Sequence, residues 1–537
     1  MSNYFGAMLD MSRNAVMKPD EVKAFALTLK KLGYNMIQLY TEDTFEVTDE
    51  PYFGYLRGRY SQEELRDIVS YCDSIGVEVI PCIQTLAHLN AIFRWDEYGR
   101  TVNDCSNILL VDEPRTYELI ENMFKSVRSC FTSKYINIGF DEAHMVGLGK
   151  FLRRHGFQNR FEILHRHLER ILEITRKYDF HPMMWSDMFF RLASPNGSYY
   201  NQNDIITEAI TSLCPKDIDL VYWDYYHKES DMYDMMIESH KKFKNNVWFA
   251  GGAWSWYGWA PHNKWSLESM KQAMRSCHKH GITNIFMTMW GDNGKECSFY
   301  SVLPSLYAVR RFYDGVEDME IIKREFAEIT GEDFDAMMRL DLPNDLSDNR
   351  YYSANPSKYM LYSDPFLGFL DSTLIPDAPA TYAKYSKILA NDATNSKKYG
   401  YIFDCLAKLC DVLSLKYDLG VRTRKAYTAK DIQALRALVD DYATVMSRVE
   451  AFYKAFRNLW FRENKPHGFD VQDQRIGGLL FRLRSCRERL IDFTDGKIDS
   501  IPELDEKILD FLVDGAPIKE CSLAYNSWLL NFTVNPV

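Results

Sequence analysis

Short apolar runs alternate with amphipathic stretches from residue 4 to about residue 312. Eight runs rich in β-branched and aromatic residues have the length and composition of strands. They span residues 4–9, 35–40, 77–83, 135–140, 181–186, 218–223, 247–253 and 283–290. Each is followed by a helical pattern. In the first of these, Pro19 begins and Gly33 ends a stripe of apolar residues spaced three to four apart.

The count and character of these units predict an α/β fold. Runs that are apolar on both faces are typical of a parallel sheet covered on both sides, and eight β/α units are the number in a TIM barrel. An open doubly wound sheet is the alternative, but no Gly-rich turn follows the first strand. We therefore predict a (β/α)8 TIM barrel.

Beyond about residue 330 the strand pattern fades and long helical patterns replace it, at 401–417, 429–460 and 474–493. We expect a catalytic barrel in residues 1–330 and an all-α C-terminal domain in residues 331–537, with the junction inside 341–359. An aromatic-rich segment at 451–461 has helical spacing. It fits a helical core first and a homodimer interface second.

Composition and charge exclude several classes of protein. The 537 residues include 64 Lys and Arg against 75 Asp and Glu, a net charge of −11, which disfavours nucleic acid as a partner. No long apolar run and no secretory leader are evident, so we expect a cytoplasmic protein without a membrane partner. The 11 cysteines have neither disulfide-framework nor zinc spacing, and we expect most to be reduced and buried.

One four-residue motif, Asp141-Glu142-Ala143-His144, spells the DEAH box of helicases. A helicase also needs a phosphate-binding loop of the form GxxxxGK[S/T], and the chain has none. Asp141 and Glu142 instead end the fourth predicted strand, on the face where barrel active sites are built. The plainer alternative is that Asp141 caps the following turn while Glu142 is solvated.

Charged groups and flat aromatic rings recur at the ends of the other predicted strands. A cleft walled by aromatic rings and lined by acids and an arginine is suited to a sugar, because the rings stack on its apolar faces while charged groups bond its hydroxyls. The candidate residues are Arg13, Asp43, His88, Trp185, Trp223, Tyr225, Trp254, Trp290 and Asp292, in addition to Asp141 and Glu142. We expect no metal ion and no organic cofactor.

Six motifs in order, one on each of six strands, resemble glycoside hydrolase family 20, the β-N-acetylhexosaminidases. They are GAMLDMSR, QLYTEDTF, VIPCIQTLAHLN, INIGFDE, MMWSDMF and MWGD. The chain also resembles the smaller group of bacterial exo-hexosaminidases whose barrel is preceded by no α/β domain. The resemblance covers about the first 310 residues and implies a TIM barrel.

The resemblance implies roles for the candidate residues. Asp141 would stabilise an oxazolinium formed by the substrate's own 2-acetamido group, and Glu142 would be the general acid and base. Arg13 and Asp292 would hold distal hydroxyls, His88 and Asp43 would tune Glu142, and Trp185, Trp223 and Trp254 would wall the acetamido pocket. The expected substrate is an oligosaccharide or glycoconjugate with a terminal N-acetylhexosamine.

The chain departs from the family pattern at three places. Asn137 and Phe140 stand where the family has other residues before the acidic pair. Ser255 stands where a tyrosine usually follows the seventh-strand Trp, which leaves Tyr225 or Tyr257 to contact the acetamido group. The second-strand acid is offset by one residue, and Asp43 is chosen over Glu42.

Two alternatives remain at this point. One is a barrel glycosidase acting on sugars without an acetamido group, and the other is an inactive carbohydrate-binding protein.

Overall fold

The computed structural model describes residues 3–200, 205–346 and 356–509. Eight parallel strands close into a barrel in which each strand lies between its neighbours in the chain. They are Phe5–Asp10, Met36–Tyr40, Glu78–Cys82, Tyr135–Asn137, His181–Trp185, Asp219–Trp223, Val247–Gly252 and Ile285–Met289. The first strand pairs with the eighth from Phe5 opposite Ile285, which completes the closure. The predicted TIM barrel is confirmed, and the open sheet is excluded.

Helices surround the barrel because each strand is followed by a segment with an apolar stripe. The first, Pro19–Lys31, buries Val22, Phe25, Ala26 and Leu29 against the sheet side, as its spacing predicts. Further helices of this region are Gln62–Ser74, Asp96–Thr101, Pro114–Arg128, Lys150–His155, Arg160–Lys177, Asp187–Ala193, Glu208–Thr211, Ser230–Lys241, Asn263–His280, Leu303–Tyr313 and Met319–Thr330. A short hairpin, Asn103–Cys105 with Ile108–Leu109, follows the third strand and was not predicted.

The fourth barrel strand is shorter than its apolar run, and the reason lies in its backbone. Gly139 and Phe140 both have φ of +79°, a left-handed conformation that cannot continue a strand. A Cβ on Gly139 would lie 2.1 Å from Oε1 of Gln84, so the position requires glycine. The strand therefore ends at Asn137, and the chain turns before it reaches Asp141 and Glu142.

The C-terminal region of the described chain is helical. Its helices are Phe334–Met338, Pro356–Tyr362, Ala378–Asn395, Gly400–Lys416, Leu419–Thr428, Ile432–Glu463, Phe469–Thr494 and Pro502–Asp505. Phe452, Phe456 and Trp460 of the aromatic-rich segment are fully buried, and the rings of Phe452 and Phe456 meet Trp259 of the loop after the seventh strand edge-on. Part of the predicted junction, residues 347–355, lies outside the described residues.

Two properties of the described residues bear on the expectations from composition. Ten cysteines fall within them, all free thiols, and nine of these are buried. Within the same ranges, the helices are all too short or too polar to cross a membrane.

Candidate active site

A pocket opens at the carboxyl ends of the barrel strands, the face on which barrel enzymes carry their active sites. It gathers side chains that lie up to 279 positions apart in the sequence. Its lining consists of Arg13, His88, Asp141, Glu142, Trp185, Trp223, Tyr225, Tyr226, Trp256, Trp290 and Asp292. Nine of the eleven residues proposed from the sequence are among them.

Asp141 is nearly buried and is held from two sides. Its Oδ1 accepts a hydrogen bond of 2.8 Å from Nε2 of Gln84, and its Oδ2 lies 3.2 Å from Nε2 of His88. Burial alone would raise the pKa of Asp141, but the charge of the adjacent His88 and the amide of Gln84 lower it below its usual value. The structure thus favours an ionised carboxylate at this position.

His88 is the link between the two adjacent carboxylates. Its Nε2 lies 3.2 Å from Asp141 and 3.8 Å from Oε2 of Glu142. Burial would lower the pKa of His88, but the Asp141 carboxylate outweighs burial and raises it to about 9. The imidazole is therefore a cation at neutral pH, in contact with Asp141 and beside Glu142.

Glu142 is the more open of the pair, with 42% of its side chain exposed. Its backbone has φ of +52°, and its N–H donates a hydrogen bond of 3.1 Å to Oδ2 of Asp187. Oε1 of Glu142 lies 3.5 Å from Nη2 of Arg191, whose Nε donates to Asp187 at 2.8 Å. Main chain and side chain of Glu142 are thus fixed by one ion pair from the helix that follows the fifth strand.

Asp187, whose carboxylate accepts the hydrogen bond from the Glu142 N–H, is fully buried. Burial raises the pKa of Asp187 to about 7, with Arg191 acting in the opposite direction. The sequence places Asp187 at a strand end, and Arg191 follows one helical turn later on the same helix face. That spacing is the only signal by which the sequence could have revealed the pair.

Arg13 and Asp292 both line the pocket, and their charges act on each other. Nη2 of Arg13 is 3.1 Å from Oε1 of Glu42, and its Nε is 3.8 Å from Oδ2 of Asp10. Burial raises the pKa of Asp292 to about 6, although the Arg13 charge lowers it. Arg13 and Asp292 thus add charged hydrogen-bonding groups suited to hydroxyls.

Aromatic rings form much of the rest of the pocket lining. Trp223 and Tyr225 stack with ring centroids 5.4 Å apart, and Nε1 of Trp290 donates a hydrogen bond of 3.2 Å to the Tyr225 hydroxyl. Trp256 meets Tyr225 edge-on at 5.6 Å. Because these rings hold each other in place, the wall is formed before any ligand binds.

The structure does not bring two of the proposed residues into the lining. Asp43 is buried beside Arg57, with its Oδ2 3.3 Å from the guanidinium Nε, and Glu42 takes the contact with Arg13. Trp254 is also buried, and its Nε1 donates a hydrogen bond to the backbone oxygen of Tyr225. Trp256 and Tyr226 face the pocket in its place.

The departures from the expected pattern have local explanations. Phe140 is fully buried, with its ring 5.4 Å from that of His167, and lies outside the pocket lining. The Asn137 side chain accepts a hydrogen bond of 3.0 Å from the N–H of Gly139 and so helps to form the turn before Asp141. The Ser255 hydroxyl donates to the backbone oxygen of Trp290.

Fold and pocket together define a class: TIM-barrel proteins of the glycosidase type, with adjacent carboxylates among aromatic rings at the carboxyl ends of the strands. Two protein-family models match the chain. The glycosyl hydrolase family 20 catalytic domain matches residues 3–233, and the glycoside hydrolase 20C C-terminal domain matches residues 332–521. The chain belongs to glycoside hydrolase family 20.

Curated relatives resemble the chain over part of its length. Hexosaminidase D of Bos taurus is 25% identical over 243 residues, which are 42% of this chain and 63% of the bovine protein. A β-hexosaminidase of Emericella nidulans is 27% identical over 170 residues, 26% of this chain and 27% of the fungal protein. The match thus spans less than two thirds of each relative.

Solved structures are similar to the chain at low sequence identity. A Flavobacterium johnsoniae chitobiase is 15% identical with a TM-score of 0.48, and the match covers 85% of this chain and 78% of the chitobiase chain. An exo-β-N-acetylglucosaminidase of Vibrio harveyi is 15% identical with a TM-score of 0.46, covering 61% of this chain and 58% of its own.

Proposed function

We propose that this protein is an exo-acting, retaining β-N-acetylhexosaminidase. It removes terminal non-reducing β-linked GlcNAc or GalNAc from an oligosaccharide or glycoconjugate. The observation that carries the proposal is the buried ion pair of Asp141 with His88, placed directly beside the half-exposed Glu142 in an aromatic-walled pocket. Family membership supports the same substrate class.

The first chemical step uses a nucleophile supplied by the substrate. Most retaining glycosidases use two carboxylates about 5 Å apart, but family 20 is a substrate-assisted exception. The acetamido carbonyl oxygen attacks C1 while Glu142 gives its proton to the glycosidic oxygen, so the C1–O bond breaks and a cyclic oxazolinium forms. An intramolecular attack of this kind avoids much of the entropy cost of a bimolecular step.

Asp141 acts on the acetamido group throughout. As an ionised carboxylate it accepts the amide N–H and stabilises the positive charge that develops on the oxazolinium. The lowered pKa of Asp141, caused by His88 and Gln84, supports this role because a protonated carboxyl could not supply the charge. His88 and Gln84 also fix its orientation.

The second step returns Glu142 to its starting state. Now ionised, Glu142 takes a proton from water, and the water oxygen attacks C1 and opens the oxazolinium ring with net retention. Nη2 of Arg191 lies 3.5 Å from Oε1 of Glu142 and Nε2 of His88 lies 3.8 Å from its Oε2, so two side chains help to orient the carboxylate towards the attacking water. Arg13 and Asp292 hold the distal hydroxyls.

A panel of aryl glycosides tests the proposal. The wild-type protein should hydrolyse aryl N-acetyl-β-glucosaminide or N-acetyl-β-galactosaminide and leave aryl β-glucoside untouched. Glu142→Gln should lose a factor of about 10²–10⁴ and Asp141→Asn about 10²–10³ in kcat. A matched control is the exposed adjacent acidic pair Asp96 and Glu97, whose amide variants should keep full activity.

Two results would contradict the proposal. Turnover of the β-glucoside at a similar rate would indicate a glycosidase indifferent to the acetamido group. Weak inhibition by a thiazoline mimic of the oxazolinium would indicate a protein nucleophile.

We also propose that the chain divides near residue 330 into a catalytic barrel and a helical C-terminal domain. The helix Met319–Thr330 ends at Gly331, whose φ is +78°, and the described chain beyond it is helical.

A further inference from the structure

The turn after the eighth barrel strand carries Asp292, and side chains from the C-terminal helices hold that turn. Nζ of Lys358 lies 2.8 Å from Oε1 of Glu296 and donates to the backbone oxygen of Asn293 at 3.1 Å. Nη1 of Arg475 donates to the same backbone oxygen at 2.7 Å and lies 3.2 Å from Glu296. The side chains of Lys358, Glu296 and Arg475 are each only 1% exposed.

The backbone of this turn is in a conformation that needs such support. Asn293, Gly294 and Lys295 have φ of +63°, +125° and +52°, three consecutive residues in the region that favours glycine. Non-glycine residues persist there only where surrounding contacts determine their conformation. Nε2 of Gln472 donates to the backbone oxygen of Gly294 at 3.3 Å, next to the Arg475 contact.

The same helical region also touches the loop that follows Arg13. Nδ2 of Asn14, whose φ is +86°, donates to the backbone oxygen of Gly468 at 2.7 Å. The backbone N–H of Lys465 donates to the oxygen of Val16 at 2.8 Å. Both hydroxyl-binding groups of the pocket, Arg13 and Asp292, therefore lie next to segments fixed by the C-terminal helices.

The catalytic pair Asp141 and Glu142 is held by the barrel rather than by the C-terminal helices. Asp141 is held by Gln84 and His88, and Glu142 by Asp187 and Arg191, all of them barrel residues. The catalytic pair is thus held by the barrel, whereas the turn that carries Asp292 is held in addition by the C-terminal helices.

We propose that Arg475, Lys358 and Gln472 are positioning residues that set Asp292, so that the C-terminal helices determine how the pocket grips the distal hydroxyls of the sugar. This inference rests on the proposed function. It gives the helical region a role in substrate binding rather than in the chemistry of bond cleavage.

The test is a double-mutant cycle between Arg475 and Asp292, measured on the full chain. Arg475→Met should raise KM for the aryl N-acetylhexosaminide by about tenfold with kcat changed less than about twofold, because the Asp292 contact that Arg475 positions holds the sugar equally in the ground state and the transition state. In an Asp292→Asn background the same substitution should change KM by less than about twofold, since Arg475 acts through Asp292. Arg475→Lys should recover part of the loss.

A matched control is Arg484→Met, on the same helix but exposed, which should leave both constants unchanged. If Arg475→Met does not fold, Gln472→Ala replaces it in the cycle, because it removes one neutral hydrogen bond and no buried charge. The inference would be overturned if the KM increases of Arg475→Met and Asp292→Asn multiplied in the double variant. It would also be overturned if Arg475→Met left KM unchanged or lowered only kcat.

Calorimetric titration with N-acetylglucosamine separates failure of this inference from failure of the proposed function. If the wild type binds the sugar without hydrolysing any aryl N-acetylhexosaminide, the proposed function is wrong. The double-mutant cycle between Arg475 and Asp292 is then measured with the Kd for N-acetylglucosamine in place of KM. If the wild type neither binds nor hydrolyses, both proposals are overturned.

Discussion

Nε2 of His88 lies 3.2 Å from Oδ2 of Asp141, and the two side chains are almost completely enclosed by the barrel. Each favours the charged form of the other: the carboxylate raises the pKa of His88 to about 9, and the imidazolium lowers the pKa of Asp141. His88 has φ of +59°, so the loop after the third strand adopts a left-handed conformation at the residue that makes this contact. The ion pair couples the stability of the barrel to the charge state of the pocket.

The first prediction concerns stability at alkaline pH. Because the pKa of His88 rises from 6.5 in the unfolded chain to about 9 in the folded one, its contribution is complete below pH 6.5 and is lost as the pH rises through 9. The free energy of unfolding of the wild type should fall over this window by up to about 3 kcal/mol. Urea unfolding at pH 6 and pH 9.5 measures the fall.

His88→Gln should be less stable than the wild type at pH 6 and should approach it at pH 9.5. The exposed His155→Gln provides the control, and its difference from the wild type should be small at both pH values. If the free energy of unfolding of His88→Gln fell between pH 6 and pH 9.5 as much as that of the wild type, other groups would be responsible for the fall.

The second prediction concerns Asp187, which anchors the backbone of Glu142. Asp187→Ala removes the acceptor for the Glu142 N–H and the partner of Arg191. Displacing Glu142, the acid and base, slows the chemical step more than it weakens substrate binding. The value of kcat should therefore fall by about 10–100-fold with a smaller change in KM. Steady-state kinetics on an aryl N-acetylhexosaminide measures both constants.

Asp187→Asn retains one acceptor oxygen and should lose less than the alanine variant. Equal losses in the two variants, or a change in KM alone, would show that Asp187 does not act by positioning Glu142.

The sequence predicts a structural feature only where residues close together in the chain determine that feature. The eight strands follow from runs of apolar residues, since each run must lie between barrel interior and helices, and the structure confirms the barrel. The short fourth strand could not be predicted from its apolar residues, because the left-handed Phe140 is itself apolar and buried. The glycine before it is required because Oε1 of Gln84, 55 positions away, leaves no room for a Cβ at Gly139.

In the candidate site, too, contacts with distant residues decide what the local sequence cannot. The two acids after the second strand are adjacent, and a shift of one residue exchanges the side of the backbone that each faces. Sequence spacing could not decide between Glu42 and Asp43, because the outcome depends on Arg57, which holds Asp43, and on Arg13, which pairs with Glu42. Trp254 and Trp256 both lie in the loop after the seventh strand, where strand alternation does not indicate which ring reaches the pocket.

The third prediction concerns these two acids. Glu42→Gln weakens the partner of Arg13 and should raise KM for the aryl N-acetylhexosaminide by about tenfold, because a charged hydrogen bond that orients a binding group is lost. Asp43→Asn should change KM by less than about threefold, since its partner Arg57 lies outside the pocket lining. Parallel kinetics on the two folded variants compares them directly, and a larger effect of Asp43→Asn would support the assignment made from sequence.

The fourth prediction concerns the two tyrosines that the sequence left as alternatives. The Tyr225 hydroxyl accepts a hydrogen bond from Nε1 of Trp290, and Tyr225 lines the pocket, whereas Tyr257 does not. Tyr225→Phe keeps the ring and its stacking on Trp223 but removes the hydroxyl that would contact the acetamido group. It should lower kcat/KM by about 10–100-fold, because a lost contact to the developing oxazolinium affects the transition state.

Tyr257→Phe is the matched control, since it makes the same chemical change in the neighbouring loop, and it should stay within about twofold of the wild type. The decisive comparison is between substrates. Replacing the acetamido group by a trifluoroacetamido group weakens the carbonyl as nucleophile, and a hydroxyl that acts on this group should change the sensitivity of kcat/KM to that replacement. Tyr225→Phe should therefore alter the slope of log kcat/KM against the number of fluorines, and Tyr257→Phe should not; the reverse pattern would assign the contact to Tyr257.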